Sequence, residues 1–401
     1  MDGVDLRQHL PNLLLSMPHV TPRRRIVLHC DSPVSGGFEQ LVARLANTLA
    51  RAGHDIEFLY WHETLGALAV EPRIRKTRLP APAGTPLPFL YAFAPARLGR
   101  LVRALRARRG ALVVICQGSI ELGAGALLAA RLAGIPTVSY LAYAFDLRTL
   151  GMRFAALRER VDRSFYRLPE HFITLSEFQG ELVTTRVATP VHVIPMVVPV
   201  CTVLPPRSRA PDAALEIGVV GAISFGIKGQ DVLPGVALAL ERSSRPFTIH
   251  VIGDGPDLAE LRACVDQSGL GARFTFHGRL PHDVASDRMH AMDVLVIPST
   301  TEGAVPLVAF EGLAVGTPFV MTRVDSTRDW RIPADLQFDR DSAPDIVRAI
   351  DAALVFRDSR EFEPFQRRML ASVSEEAFEA AVTRVFDDLL AVPRAGTDAH
   401  A

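Results

Sequence analysis

The sequence predicts an α/β protein made of two doubly wound units, each a parallel sheet covered by helices, facing one another across a cleft. Three observations predict it. The 401 residues exceed what one core ordinarily holds and suggest two domains of roughly 200 residues each. Continuous apolar strands alternate with helices, as in parallel sheets covered on both faces. The alternation then restarts after "PVHVIPMVVPVCTVLPP" (190–206), a proline-rich stretch that cannot continue a helix and reads as a hinge. The expected divisions are 1–198, 199–373, and a final helix with its tail, 374–401, packing back on the first unit.

In chain order, "RRRIVLHC" (23–30) is a strand. After it come a glycine turn, an amphipathic helix carrying Leu41, Val42, Leu45 and Leu49, a stop at Gly53, and a second strand. "ALVVICQG" is an apolar strand, "GAGALLAARLAG" a small-residue helix and "PTVSYLAY" the next strand. Beyond the hinge, "EIGVVG", "FTIHVIG", "RFTFHG", "DVLVIPS" and "PFVMT" are strands. Helices are expected near 229–241, over "PDLAELRACVDQSG" and "PHDVASDRMHAM", and around 306–315. "EEAFEAAVTRVFDDLLA" closes the chain as an amphipathic helix, and "GTDAHA" reads as an unstructured tail.

Apolar residues are 48% and charged residues 22% of the chain, ordinary for a soluble globular protein. No apolar run reaches the ~18 residues of a spanning helix. Asp2 and Asp5 ahead of a short apolar run make a poor secretory signal. Cys30, Cys116, Cys201 and Cys264 lack metal or disulfide spacing and read as thiols in a reducing compartment, so a cytoplasmic protein is expected. The histidines and the acidic "DRD" at 339–341 show no metal-ligand pattern, and neither metal nor cofactor is expected. Residues 1–200 hold 24 Lys and Arg against 15 Asp and Glu, while the rest hold 20 against 29. A basic first half suits an anionic partner, or reflects ordinary drift between domains. Only Lys76 and Lys228 are lysines, so each stands where arginine otherwise serves.

Ligands of open α/β sheets bind beyond the C-terminal strand ends, and three loops there carry chemistry. Gly36 and Gly37 follow the first strand, where glycine leaves room for a ligand and the helix behind offers N–H donors to an anion. Lys228 lies where the first strand of the second unit leads into a helix, a phosphate-binding position or a solvated loop. In "STTEGAVPLVAFEG" (299–312), Glu302 sits on the loop after a buried strand. Glu311 sits one to two turns into the helix that Pro306 starts. Two such carboxylates suit a ligand dense in hydroxyls. Their spacing alone also reads, and more readily, as one surface and one helix-capping glutamate. "GAGALL" lacks the third glycine and downstream acid of a dinucleotide fingerprint, against a dehydrogenase.

Together, "SGGFEQLVARLANTLARAGHDIEF", "VIGDGPDLAELR", "FTFHGRLPHDVASDRMHAMDVLVIPS" and "EGAVPLVAFEGLAVGTPFV" resemble glycosyltransferase family 4 over roughly residues 24–390. The family comprises retaining nucleotide-sugar enzymes of GT-B fold. The resemblance implies an N-terminal acceptor domain, a C-terminal donor domain, and transfer from a nucleoside-diphosphate sugar to a glycan, lipid-linked or small-molecule acceptor, with no nucleic-acid partner. It implies that Glu311 holds the ribose hydroxyls and that Glu302 and the following backbone, including Gly303, face the donor sugar. Lys228 binds the diphosphate, Gly36 and Gly37 lie against phosphate or sugar, and the backbone near Arg279 and Leu280 reads the base. Lys228 and Glu302 are the expected catalytic pair.

The chain departs from the family pattern in four places. Eight residues (303–310) separate its two glutamates where seven are usual. Ala222 replaces an arginine, Ala142 a histidine, and "RVDSTRDW" a glycine-rich loop, with Arg323 or Arg328 as candidates to restore the lost charge. A non-catalytic sugar- or nucleotide-binding relative and a GT-B sugar-nucleotide epimerase therefore stand as alternatives. Finally, "RLGRLVRALRARRG" (97–110) sets Arg97, Arg100, Arg103, Arg106, Arg108 and Arg109 around the stripe Leu98, Leu101, Val102 and Leu105, with no acid among them. These arginines are either solvated or face an anionic membrane from its inner side, where a lipid-linked acceptor would wait.

Overall fold

The computed structural model describes residues 23–33, 36–80, 95–145, 147, 154–198, 203–210, 213–302 and 305–391. The expected tail, the N-terminal stretch before Arg23, Cys201 and Gly303 lie outside them. The first sheet has seven parallel strands: β1 Arg25–Cys30, β2 Asp55–Tyr60, β3 Arg75–Arg78, β4 Leu112–Gln117, β5 Thr137–Leu141, β6 His171–Thr174 and β7 Val191–Val193. They run in the order β3-β2-β1-β4-β5-β6-β7. The second has six, β8 Leu215–Val220, β9 Phe247–Ile252, β10 Phe274–Gly278, β11 Val294–Ile297, β12 Phe319–Thr322 and β13 Gln337–Phe338, in the order β10-β9-β8-β11-β12-β13. Central strands β1 and β4 are buried along almost their whole length, which is why they read as unbroken apolar runs.

Strand order reverses between β1 and β4 in the first sheet and between β8 and β11 in the second. Such switch points open a crevice at the strand ends, because successive crossover connections leave in opposite directions. The glycine loop follows β1, Lys228 follows β8 and Glu302 follows β11. The topology thus brings three distant stretches of sequence to the two switch points.

The last helix, Glu375–Ala391, joins the core of the first domain: Phe378, Val382, Val385, Phe386 and Leu389 share a buried cluster with Leu41, Val42, Leu45 and Leu49. Arg44 and Arg51 of the helix Gly37–Arg51 pair with Glu375 and Glu379 at its start. The expected helix near 229–241 is divided. One turn, Phe225–Lys228, ends at Gly229 with φ +67°, and the longer helix begins at Leu233. A Cβ at Gly229 would lie 2.0 Å from the Pro298 carbonyl oxygen, so only glycine lets the Lys228 turn sit against the β11 loop.

The arginine-rich helix, Pro95–Arg106, with the residues after it, uses its charges in more than one way. Arg97 is buried, ion-paired with Asp31 and stacked over the Trp61 ring at 4.6 Å. Arg108 donates to Glu57 at 3.0 Å, while Arg100 and Arg106 donate to the carbonyls of Pro80 and Leu132. The acids that pair with Arg97 and Arg108, Asp31 after β1 and Glu57 within β2, come from far away in sequence. Arg97 and Arg108 are thus taken up by acids within the protein, while Arg103, Arg106 and Arg109 stay exposed. No described helix is long and apolar enough to cross a membrane.

Candidate active site in the interdomain cleft

A cavity of about 670 Å³ lies between the C-terminal edges of the two sheets. Its first-domain wall includes Gly37, Phe38, Gln40 and Tyr143; its second-domain wall includes Lys228, Ser299, Glu302 and Glu311. Lys228 Nζ donates to Glu302 Oε1 at 2.6 Å. Backbone geometry sets up this pair. Lys228 N donates to Ser224 O at 2.6 Å, closing the turn. Thr300, two residues before Glu302, ties the β11 loop to that turn through Thr300 N to Ile227 O at 2.9 Å and Thr300 Oγ1 to Gly226 O at 2.7 Å. Glu302 is 9% exposed, too buried for the surface glutamate the spacing also allowed. A buried carboxylate needs a partner, and Lys228 supplies it.

Glu311 is the fifth residue of the helix Leu307–Ala314 and lines the same cavity. Burial raises its pKa, opposed by His282, whose Nδ1 lies 4.0 Å away. The structure thus brings Lys228, Glu302 and Glu311 to one cavity despite the longer loop between the glutamates. A second cavity of about 650 Å³ adjoins at Val220 and Gly221 and is lined by Ala222, Asp254, Gly255, Arg279, Leu280 and Ala285. Arg279 and Leu280 therefore sit around a corner from Glu311, and Ala222 presents only a methyl where the resemblance has an arginine.

The glycine pair divides. Gly37 lines the cavity, whereas Gly36 N–H donates to Glu39 Oε2 at 2.8 Å and is already satisfied. Glu39 is buried and completes a capping box at the start of the helix Gly37–Arg51. Neither Arg323 nor Arg328 lines either cavity. Arg323 is exposed after β12, and Arg328 pairs with Glu181 of the first domain and stacks over Phe178 at 5.2 Å. Asp329 accepts from Phe178 N at 2.9 Å, so this segment clasps the domains together.

Two site residues escaped the sequence reading. Gln230 is 2% exposed; its Oε1 accepts from Ser224 N and its Nε2 donates to Ala222 O, bracing the loop that carries Lys228. Only its place two residues after the scarce lysine hints at this. Tyr143 follows Ala142 at the end of the β5 segment, and nothing in its local sequence marks it. Among the described residues, no three His, Cys, Asp or Glu side chains gather as metal ligands.

Comparison with known proteins follows the two domains. Residues 36–196 match a family model described as "Glycosyl transferase 4-like domain", and residues 214–354 one described as "Glycosyl transferases group 1". The chain is 33% identical over 214 residues to the 2-deoxystreptamine glucosyltransferase of Streptomyces kanamyceticus, covering 48% of this chain and 54% of that protein. It is 43% identical over 82 residues to the 2-deoxystreptamine N-acetyl-D-glucosaminyltransferase of Streptomyces fradiae, covering 20% and 18%. The chain thus spans about half the length of the first relative and less of the second. Among solved structures, sucrose-phosphate synthase from Thermosynechococcus elongatus superposes with a TM-score of 0.73 at 20% identity, over 92% of this chain and 100% of that one. Anabaena HepE in complex with UDP-glucose superposes with a TM-score of 0.68 at 16% identity, over 91% and 99%. At these identities the structural likeness carries the fold, GT-B.

Proposed function

Because the chain belongs to the family-4-like glycosyltransferases of GT-B fold, we propose that it moves a sugar from a UDP-sugar to an amine-bearing cyclitol of the 2-deoxystreptamine kind, with retention at the anomeric carbon. The observation that carries the transferase reading is the Lys228–Glu302 pair, held at 2.6 Å on the wall of the cavity between the domains. The uridine preference rests on the UDP-glucose complex of HepE, and the acceptor class on the two Streptomyces relatives.

In this reading the base lies in the second cavity against the backbone of Arg279 and Leu280. The Glu311 carboxylate accepts hydrogen bonds from the ribose hydroxyls. The diphosphate, more highly charged than one carboxylate, draws Lys228 away from Glu302. Lys228 then stabilises the negative charge that builds on the departing diphosphate, and this is the main catalytic contribution. Glu302, released from its ion pair, faces the donor sugar and accepts from its hydroxyls. In this reading bond breaking depends on leaving-group stabilisation and on the placement of the acceptor.

Incubating the purified protein with UDP-glucose, with and without 2-deoxystreptamine, tests the proposal. Slow release of free glucose, accelerated into a glycosylated product by the cyclitol, is expected. Tight UDP binding without turnover would instead make this a binding protein, and a 2-epimer of the donor would make it an epimerase.

A further inference from the structure

Tyr143 is a large aromatic side chain that the cleft leaves uncovered. It lines the cavity from the first-domain wall, opposite Lys228 and Glu302, and stays 46% exposed. Its backbone is pinned on both sides. Ala142 N donates to Gln117 O at 3.1 Å, Tyr143 N to Gly118 O at 2.9 Å, and Ala144 N to the buried Gln179 Oε1 at 2.7 Å. The ring stacks on Phe145 with centroids 6.2 Å apart and planes at 23°. Exposure here thus comes with fixed backbone geometry and aromatic backing, so the ring is presented to the cavity with little ordering left to do on binding.

The surroundings of the ring define its complement. Burial raises the pKa of the Tyr143 hydroxyl, and the carboxylates of Glu302 and Glu39, from opposite domains, add to the effect. Protonated at neutral pH as tyrosines ordinarily are, the phenol can both donate and accept. An aromatic face with such a hydroxyl, in the negative field of Glu302 and Glu39, suits a saturated ring with C–H groups for the face, hydroxyls for the phenol and ammonium groups drawn by the ring and that field. Donor contacts are already provided by the opposite wall through Lys228 and Glu311.

We infer that Tyr143 is the acceptor platform: it stacks beneath an amine-bearing cyclitol or amino sugar and holds the reacting hydroxyl toward the donor. The inference rests on the glycosyltransferase reading above and names a residue on which the acceptor would sit.

The test uses the full chain as wild type, Tyr143→Ala and Tyr143→Phe. UDP affinity is measured by titration calorimetry. Binding of 2-deoxystreptamine and of neutral myo-inositol, both in the presence of UDP, is measured by saturation-transfer NMR. The expected result is equal UDP affinity in all three proteins. Tyr143→Ala should bind 2-deoxystreptamine more weakly by up to roughly tenfold, the upper end of the range for aromatic contacts. Tyr143→Phe should keep most of the affinity, and myo-inositol should bind the wild type more weakly than the amine. Unchanged 2-deoxystreptamine binding in Tyr143→Ala overturns the inference, as does its absence in a wild type that binds UDP. Equal binding of the two cyclitols overturns the ammonium part. Parallel loss of UDP and cyclitol in Tyr143→Ala would show a structural role and also overturn it. A wild type that binds neither UDP nor cyclitol defeats the underlying reading itself, which keeps the two failures apart.

Discussion

Lys228 and Glu302 are ion-paired, and Glu302, the more buried of the two, needs the partner. Removing the lysine should therefore act twice, by deleting a phosphate contact and by leaving Glu302 as an uncompensated negative charge beside it. Lys228→Ala is expected to weaken UDP binding by about 1.5–3 kcal/mol, the range for hydrogen bonds to charged groups. Calorimetry showing unchanged affinity would remove Lys228 from the phosphate site. The glutamates should separate by ligand. Glu311→Ala should raise the dissociation constant for bare UDP, whereas Glu302→Ala should spare UDP binding and depress turnover of the full donor. If both variants weaken bare UDP equally, the longer loop has shifted the motif and the two roles assigned here fail. Lysine scarcity and paired glutamates were legible in the sequence because both are statements about residue type. Gln230 and Tyr143 were not, because their importance lies in what they touch.

At the scale of the element, the arginine-rich helix shows how a local pattern misleads. Read alone, it is a cationic stripe without acids; in the fold, Arg108 finds Glu57 on β2 and Arg97 finds Asp31 just beyond β1. Glu57 has a testable signature. Burial disfavours its charge, but hydrogen bonds from Arg108, Thr77 and Arg25 overcome this and lower its pKa to about 2. In the unfolded chain it protonates near 4.5. A carboxylate with a depressed folded-state pKa contributes stability that is fully present above the unfolded value and is lost as pH falls through the folded one. Glu57 should thus stabilise the fold by up to about 3 kcal/mol above pH 4.5, fading toward pH 2. Urea unfolding across that window should show a shallower pH dependence in Glu57→Gln than in the wild type. An identical slope would mean that the ion pairs contribute nothing net. The divided helix after β8 belongs here too. Gly229 is visible in the sequence, but that its hydrogen atom faces the Pro298 carbonyl is a fact of packing between elements.

At the scale of the molecule, the last helix belongs by chain order to the second domain and by packing to the first. Phe386 is 1% exposed within the first domain's core, where it meets residues more than three hundred positions away in sequence. Phe386→Ala should destabilise that domain by about 3–5 kcal/mol, the usual cost of emptying a buried phenylalanine site. Denaturant unfolding monitored at Trp61, which lies in the first domain, would report the shift. A transition unmoved at Trp61 would mean that the helix rests on the first domain without stabilising it. The Arg328–Glu181 contact and the Asp329 hydrogen bond to Phe178 N join the domains at another point.

The sequence by itself determined the fold class, two parallel α/β units, because apolar runs and helical periodicity act over a few residues and leave their mark there; the expected hinge at 190–206 in fact begins with β7, Val191–Val193, of the first sheet. It also determined which residue types could bind a phosphorylated, hydroxyl-rich ligand. Only the tertiary structure decided which of them meet. The reversal of strand order at β1/β4 and β8/β11 carries Gly37, Lys228, Glu302 and Glu311 to one cavity, and the Thr300 strap sets Lys228 against Glu302. The same packing turned Arg97 inward and left the Tyr143 ring facing the cleft. Burial and charge pairing depend on neighbours brought together by chain crossings, and no local stretch of sequence contains those neighbours.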